Sequence, residues 1–307
     1  MPIAALLAAK DGWAVAPVEA PGVLRATGKD AKDYLHRMTT QDLNALPPGG
    51  SAYLAIRNAK GHLLAEGHAL VETDGILLVV DPGAAAEART HLERFVIMDD
   101  VVFEDLSSEL RVVPVLGPES ATKLGALGTS LRRISNRRRG PPALELVVPV
   151  GEAELIRATL LVEGAHDLSA ADLEGLRILE GQARWGADMD SSRLPMEAGL
   201  TRAAISFTKG CYTGQEVVLR ATVRGHLQRG LVQLALPDGA GPGTPLTAGG
   251  HEVGVVTSAA ETPEGRLGLG YLRRAHWKEG ERVATPAGEA VVRRVLVEDG
   301  IAAAPSC

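Results

Sequence analysis

The fold is constrained most by a change of pattern between residues 225 and 229. Before this point, apolar segments typical of strands alternate with amphipathic helices, whereas after it only short strands separated by Gly- and Pro-containing turns follow. Several short strands without a helical period between them indicate a small β-barrel or sandwich. We therefore predict an α+β region over residues 1–225 and a C-terminal β-barrel over residues 226–307. The expected barrel strands cover residues 231–236, 253–260, 267–272 and 290–297.

The first region is predicted to contain antiparallel sheets and helices. An apolar stripe with helical spacing follows Asp30, which we expect to cap the helix. This stripe comprises Ala31, Tyr34, Leu35 and Met38. A capping-box pattern at Ser169 and Asp172 begins another helix, which we expect to end near Gly186. Because helices and strands alternate without long parallel crossovers, we predict an α+β fold with two subdomains that meet near residues 110–150.

Composition limits the classes of function. The chain has 307 residues, 45% of them hydrophobic, and a net charge of -6, so the molecule as a whole is not drawn to nucleic acid or to an anionic membrane. Its two cysteines, Cys211 and Cys307, offer no disulfide framework and no CxxC motif, which suits a reducing compartment. The apolar start ends at Lys10, and no run approaches the roughly 18 apolar residues of a membrane span. We predict a cytoplasmic protein without a membrane partner and without direct nucleic-acid binding.

The segment at residues 209–220, KGCYTGQEVVLR, carries the strongest candidate for chemistry. Cys211 lies there among polar side chains, which are Lys209, Gln215, Glu216 and Arg220. A thiolate is both a nucleophile and a soft metal ligand, and neighbouring cations lower the pKa of a thiol. Lys209 is expected to favour the thiolate, and Gln215 and Glu216 to orient groups around it. The alternative is that Cys211 is a small buried hydrophobe, as most free cysteines are.

Other charged residues are weaker candidates. Glu197 lies on an irregular loop at residues 188–199, and loop-borne carboxylates often serve sites. Arg177 and Glu180 lie three residues apart on one helix, so they can pair with each other. Five arginines at residues 131–139 are expected in a solvated loop, or in a local contact with phosphate or polyglutamate.

KGCYTGQEVVLR closely resembles the KGCYxGQE signature of the YgfZ family, relatives of the folate-binding T-protein of glycine cleavage that act in iron–sulfur cluster maintenance. Further matching stretches are YLHRMTTQDLNAL at 34–46, RNAKGHLLAE at 57–66, RILEGQARWG at 177–186, RLPMEAGL at 193–200 and VGVVTSAA at 253–260. The resemblance implies a T-protein-like folate-binding body with a C-terminal β-barrel, a tetrahydrofolate site in a central cavity and Cys211 exposed there. The cofactor-binding residues expected on this basis are Tyr53, Arg177, Glu180, Glu197 and Arg220.

Two departures from T-proteins bear on the reaction. T-proteins typically carry an Asp-Asp pair where this chain has Ala65 and Glu66, and they ordinarily lack the cysteine, so aminomethyl transfer is disfavoured. The glutamate that grips the pterin in T-proteins aligns with Leu179. Glu180 lies one residue further on, which rotates its side chain by about 100° around the helix.

The resemblance implies a tetrahydrofolate-binding protein that supports assembly or repair of iron–sulfur clusters, and through them tRNA modification by iron–sulfur enzymes. Cys211 would be a cluster ligand or a cluster-transferring thiol, and a carrier or client protein must supply further ligands, since one cysteine cannot complete a four-thiolate site. The alternative is a folate-dependent aminomethyl- or formyltransferase with Glu66 or Glu197 as its base. A third hypothesis, disfavoured by the overall acidity, is a nucleic-acid module that uses Arg132, Arg133, Arg137, Arg138 and Arg139.

Overall fold

The computed structural model describes residues 1–126, 131–136, 138, 141–210 and 227–298. The helices are α1 (Ile3–Asp11), α2 (Ala31–Met38), α3 (Pro82–Arg94), α4 (Ser120–Ala126), α5 (Ala153–Val162), α6 (Ala170–Glu180) and α7 (Thr201–Ala204), with a 3-10 turn at Arg274–His276. In these ranges, no helix combines the length and the apolar character needed to cross a membrane.

The strands form two five-stranded sheets and a barrel. In chain order they are β1 (Ala14–Val15), β2 (Gly22–Thr27), β3 (Ser51–Arg57), β4 (Leu63–Val71), β5 (Ile76–Val80), β6 (Val102–Asp105), β7 (Leu110–Leu116), β8 (Arg132–Asn136), β9 (Ala143–Pro149), β10 (His166–Asp167), β11 (Arg229–Ala235), β12 (Pro245–Ala248), β13 (His251–Thr262), β14 (Gly265–Arg273), β15 (Arg282–Thr285) and β16 (Gly288–Val295).

The first sheet has antiparallel strands in the order β3-β4-β5-β2-β6. Helices α2 and α3 cover one face of it, and the apolar stripe predicted on α2 is buried there. The Tyr34 hydroxyl donates to the Leu92 carbonyl of α3 at 2.5 Å, which satisfies a polar group inside this core. Asp30 occupies the predicted N-cap position of α2, but its carboxylate accepts from the Asp100 backbone N–H at 2.8 Å and makes no capping hydrogen bond to α2.

The second sheet has the order β10-β1-β7-β9-β8, and its β1–β10 pair is parallel while its other pairs are antiparallel. Successive residues on a strand point to opposite faces. On β9, Leu146 and Val148 therefore pack with Trp13 against α5, whereas Val147 packs with Val79 of the first sheet. The inner faces of the two sheets meet in one apolar layer.

Strand β8 lies where the sequence predicted a solvated loop, and that prediction is wrong for these residues. The strand pairs with β9 along its whole length. Ile134 and Asn136 are buried, whereas Arg132 and Ser135 are exposed. An edge strand needs only one face covered by the protein and tolerates charged side chains on the other face. Buried and exposed residues can therefore alternate along β8, although its arginines obscure this pattern in the sequence.

The C-terminal strands close into a barrel in the order β11-β14-β13-β12-β15-β16, as predicted. Helix α6 packs against β13 and β14 of this barrel. It begins at the predicted capping box of Ser169 and Asp172. It ends at Glu180 rather than near Gly186, because Gly181 adopts a left-handed φ of 74° and terminates the helix.

Candidate functional site

A cavity of about 540 Å³, which we call the main cavity, lies between the inner faces of the two sheets. Its walls come from β3, β4 and β5 of the first sheet, from β7, β8 and β9 of the second, and from α6 with the turn that follows it. Alternation along the strands turns Tyr53, Glu66 and Glu145 inward. Cavities of this size accommodate small-molecule ligands.

Tyr53 and Glu66 form a hydrogen-bonded pair across β3 and β4. The Tyr53 hydroxyl donates to Glu66 Oε2. Burial raises the pKa of Glu66, with the Tyr53 hydrogen bond and the charge of Arg138 in opposition. Burial and then the Glu66 charge raise the pKa of Tyr53 well above its usual value. Tyr53 is therefore a permanent donor at neutral pH, and Glu66 is a carboxyl group with the raised proton affinity of a general acid or base.

Arg138, which follows β8, closes one side of the main cavity. Its guanidinium carbon lies 5.2 Å from the centre of the Tyr53 ring. The guanidinium also donates to the Gln182 side chain and, at 3.3 Å, to the Ala183 carbonyl. Its Nε is buried and has no hydrogen-bond partner among the described residues. Arg138 thus holds the Tyr53 ring against the turn after α6 and adds a positive charge near Glu66.

Asn136 and Glu145 form a second polar pair on the opposite sheet. Asn136 Nδ2 donates to Glu145 Oε1 at 2.6 Å, and Glu145 is 3% exposed. Glu145 and Glu66 therefore present carboxyl groups to the main cavity from opposite sheets. Because carboxylates accept hydrogen bonds, this arrangement suits a ligand with a donor-rich edge, such as an amino-substituted heterocycle.

Arg177 lies in the α6 wall, and all five of its N–H donors are used within the protein. It binds Glu174 through hydrogen bonds of 2.9 and 2.6 Å, Asp188 at 2.6 Å and the Ser258 hydroxyl at 2.8 Å. Its remaining donor bonds the Gln182 carbonyl. Since Ser258 belongs to β13, Arg177 ties α6 to the barrel. The geometry suits a residue that positions this wall, and cofactor binding by Arg177 stays a prediction.

Lys209 is 4% exposed and lies beside the C-terminal end of α2. Its ammonium group donates to the carbonyls of His36, of Thr39 at 2.9 Å and of Gln41 at 3.0 Å. Burial lowers the pKa of Lys209 to about 8. Carbonyls at the end of a helix lack intrahelical donors, and Lys209 supplies them. The residue therefore fixes the chain just before Cys211 to the loop after α2.

Glu180 and Glu197 lie in ion pairs and are not among the described residues that line the main cavity. Glu180 pairs with Lys10 of α1 at 2.7 Å, and Glu197 pairs with Arg229 at 3.0 Å. The expected pair between Arg177 and Glu180 does not form, because Arg177 faces the opposite way, toward the cavity wall. Among the described residues, Tyr53 and Arg177 are thus the two predicted cofactor residues that line the main cavity. Outside the described residues lie Cys211, Gln215, Glu216 and Arg220.

The described residues bear on the hypotheses of a metal site and of a nucleic-acid-binding surface. In the described ranges, no group of three or more His, Cys, Asp or Glu side chains could hold a metal ion. Arg132 pairs with Glu72 at 2.6 Å, whereas Arg138 turns into the main cavity, so these two arginines serve different surfaces. Arg137 and Arg139 fall outside the described residues.

Sequence reasoning missed Asn136 and Glu145 and gave Glu66 only as an alternative base. Glu145 had a signal, because it is the charged residue of the otherwise apolar strand ALELVVP, and buried charges need partners. Asn136 gave no signal in the sequence, because strand register rather than sequence spacing brings it next to Glu145. Arg138 could not be told apart from the other arginines of its segment.

Two family models match separate parts of the chain. The GCVT N-terminal domain matches residues 6–136, and the CAF17 C-terminal beta-barrel domain matches residues 228–298. The glycine cleavage system aminomethyltransferase T from Bartonella henselae has the same fold, with a TM-score of 0.81 at 22% identity over 97% of this chain and 90% of that one.

Curated relatives carry several names. The putative chloroplastic transferase At1g60990 of Arabidopsis thaliana is 27% identical over 88% of this chain and 67% of its own length. An aminomethyltransferase of Rubrobacter xylanophilus is 28% identical over 82% and 73%, respectively. The tRNA-modifying protein YgfZ of Yersinia pestis is 27% identical over 73% and 69%. This chain therefore joins a GCVT-type N-terminal domain to a CAF17-type C-terminal beta-barrel and is similar to the YgfZ proteins, as the motif at residues 209–220 predicted.

Proposed function

We propose that this protein binds a tetrahydrofolate in the main cavity and supports the assembly or repair of iron–sulfur clusters, with Cys211 as its functional thiol. One observation carries the folate part: Glu66 and Glu145 present carboxyl groups from opposite sheets to a cavity of about 540 Å³. The aminopyrimidinone edge of a pterin consists largely of N–H donors. Carboxylates accept such donors, and a flat ring fits between two sheets.

The remaining polar groups of the main cavity also fit a folate. The Tyr53 ring, with the Arg138 guanidinium 5.2 Å from its centre, offers a flat surface for stacking. The Nε–H of Arg138 has no partner among the described residues and is a donor for an acceptor on the ligand. A reduced folate would supply its one-carbon chemistry at this place, while the protein supplies orientation and the proton-carrying groups Tyr53 and Glu66.

The cluster part of the proposal rests on the segment that begins at Lys209. Lys209 anchors the chain immediately before Cys211, so the start of this segment has a fixed position. One thiol cannot complete a cluster site, which requires ligands from an iron–sulfur carrier or client protein. Clients that modify tRNA are consistent with the name of the YgfZ relatives. Gln215, Glu216 and Arg220 are proposed to orient groups around the thiol.

The experiment that tests this proposal separates the cavity from the thiol. Tetrahydrofolate is titrated by calorimetry into the wild type and Cys211→Ser, and each form is tested as the sole copy for support of iron–sulfur enzyme activity. We expect equal folate affinity and a loss of support in the variant. Full client activity in Cys211→Ser would remove the role of the thiol, and absence of binding to the wild type would remove the folate.

A folate-dependent aminomethyltransferase-like enzyme is the second candidate, and Glu66 favours it. Its carboxyl group lies in the main cavity with a raised pKa, as a proton-transfer residue requires. The two functions differ in turnover. Incubation with a one-carbon donor, followed by product analysis, should yield product from the wild type but not from Glu66→Gln if the protein is a transferase. Folate binding without any product supports cluster maintenance.

A further inference from the structure

Three large apolar side chains are exposed within four residues of the loop after α3, and we call them the loop patch. Met98 is 92% exposed, Ile97 85% and Phe95 42%. Exposed apolar residues that lie singly on a surface are common, whereas grouped ones mark sites of interaction. Methionine and aromatic residues are also enriched in protein–protein interfaces. The loop patch therefore has the composition of a docking surface.

The loop that carries the patch is held in place by core packing and by α2. Val96, within the same stretch, packs against the core of the first sheet. The Asp99 carboxylate accepts from Arg37 of α2 at 2.5 Å, and the Asp100 backbone N–H donates to the Asp30 carboxylate at 2.8 Å. Because the loop is already ordered, a partner that binds it loses little conformational entropy on binding.

The last turn of α2 links the loop patch to the segment that contains Cys211. Arg37 of this turn binds Asp99, which directly follows the patch. The carbonyl of the neighbouring His36 accepts from the ammonium group of Lys209, two residues before Cys211. The loop after α3 and the start of the Cys211 segment therefore contact the same turn of α2. A protein seated on the loop patch would lie beside the chain that leads to the thiol.

The surroundings of the loop patch are acidic. Residues 93–105 contain one cation, Arg94, and five carboxylates, which belong to Glu93, Asp99, Asp100, Glu104 and Asp105. Two cations of the adjoining helices, Arg37 and Arg89, pair with members of this group but do not balance it. Two copies of such a surface repel each other, whereas a basic surface is attracted to it. The charges therefore favour a basic partner over a second copy of this chain.

We propose that the loop patch is the docking surface for the iron–sulfur protein that shares a cluster with Cys211, and that this partner presents an apolar centre with a rim of lysine and arginine. The inference rests on the proposed function, since one thiol cannot complete a cluster site and a partner must supply the other ligands. The loop patch provides the apolar contact, and the carboxylates around it attract the basic rim.

The amount of protein required separates docking from the chemistry of the thiol. Each form is expressed as the sole copy at graded levels, and the activity of an iron–sulfur enzyme that modifies tRNA is measured as its modified nucleoside in total tRNA. Ile97→Ala/Met98→Ala should need at least about tenfold more protein for half-maximal activity, because a few apolar anchors dominate interface affinity. Its maximal activity should equal that of the wild type, since a higher concentration restores the complex. Cys211→Ser should fail at every level.

Leu155→Ala/Val162→Ala is the matched control, because these residues of α5 are 71% and 86% exposed. Helix α5 packs on the second sheet, so the same loss of apolar surface falls away from α2. This control should follow the wild-type curve. Both double variants should keep the wild-type affinity for tetrahydrofolate and the wild-type melting midpoint, since all four side chains are exposed.

Asp100→Lys tests the basic rim of the partner and should need about twofold to fivefold more protein, as expected for one exposed charge. An unchanged or smaller requirement would overturn the basic partner. A wild-type curve for Ile97→Ala/Met98→Ala, or a lowered maximum that no amount of protein restores, would overturn the docking surface and leave the proposed function intact. So would sedimentation velocity that shows a wild-type dimer lost in this variant, because the patch then binds a second copy. Full activity in Cys211→Ser would remove the proposed function, and the docking proposal with it.

Discussion

Replacing Asp188 by Asn should be one of the most damaging single changes in this chain. The Asp188 side chain is fully buried. It accepts hydrogen bonds from Arg177 at 2.6 Å, Thr257 at 2.5 Å, Ser258 at 2.8 Å and the Arg184 backbone N–H at 3.0 Å. An amide keeps the shape but removes the charge, and its NH2 group then faces donors. The change leaves the buried guanidinium of Arg177 with only Glu174 to balance it.

The magnitude follows from the buried charge. Removing one partner of a buried ion pair costs about 3–5 kcal/mol, and the surviving Glu174 contacts of Arg177 place Asp188→Asn near 3 kcal/mol. At roughly 2–4 °C per kcal/mol for a chain of this class, the melting midpoint should fall by about 6–12 °C. Thermal unfolding followed by circular dichroism measures this shift.

Asp190→Asn is a matched control in the same loop. The Asp190 residue is exposed, and its carboxylate accepts from the backbone and hydroxyl of Ser192 at 2.8 and 2.6 Å. Its replacement should cost at most about 1 kcal/mol, as for a single exposed hydrogen-bonding group. Equal melting midpoints for Asp188→Asn and Asp190→Asn would refute the reasoning, because the network around Arg177 would then contribute nothing measurable.

Two further changes test other parts of the molecule. Burial lowers the pKa of Lys209 to about 8, so between about pH 8 and 10.5 this residue binds more protons in the unfolded chain than in the folded one. The free energy of unfolding should therefore rise with pH across this window, by at most about 3 kcal/mol. Urea titrations at pH 7.5 and 9.5 should show this rise in the wild type and not in Lys209→Met, and equal pH slopes would contradict it. A Cβ at Gly67 would lie 2.1 Å from the Val79 carbonyl oxygen, so Gly67→Ala should lower stability by about 1–3 kcal/mol. Gly125→Ala, in open space on α4, is its control and should be neutral or stabilising in the same melting assay.

The parts of the fold that the sequence could predict are those in which neighbouring residues carry the information. The apolar residues of α2 recur at helical spacing, and the capping box joins Ser169 to Asp172 three residues later. Turn residues separate the barrel strands. Strands β1 and β10 have two residues each, which is too short for any pattern. In strand β8, the arginines obscure the alternation of buried and exposed residues.

The site was harder to predict because its contacts are long-range. The motif around Cys211 led to the family, and Tyr53 was identified as a cavity residue. Spacing alone could not predict the ion-pair partner of Arg177, because Glu174 and Glu180 both lie three residues away from it. The contacts of Arg177 with Asp188 and with the barrel decide between the two.

The most direct test of the account is the affinity of tetrahydrofolate for variants of the main cavity. Calorimetric titration compares the wild type with Glu66→Gln, Glu145→Gln and the double variant, and uses Glu104→Gln on the exposed edge strand β6 as control. A hydrogen bond to a charged partner contributes about 1.5–3 kcal/mol, so we predict about tenfold weaker binding or more in each single variant and a larger loss in the double variant. Glu104→Gln should match the wild type. Wild-type affinity in the double variant would contradict the claim that folate binds between the two sheets.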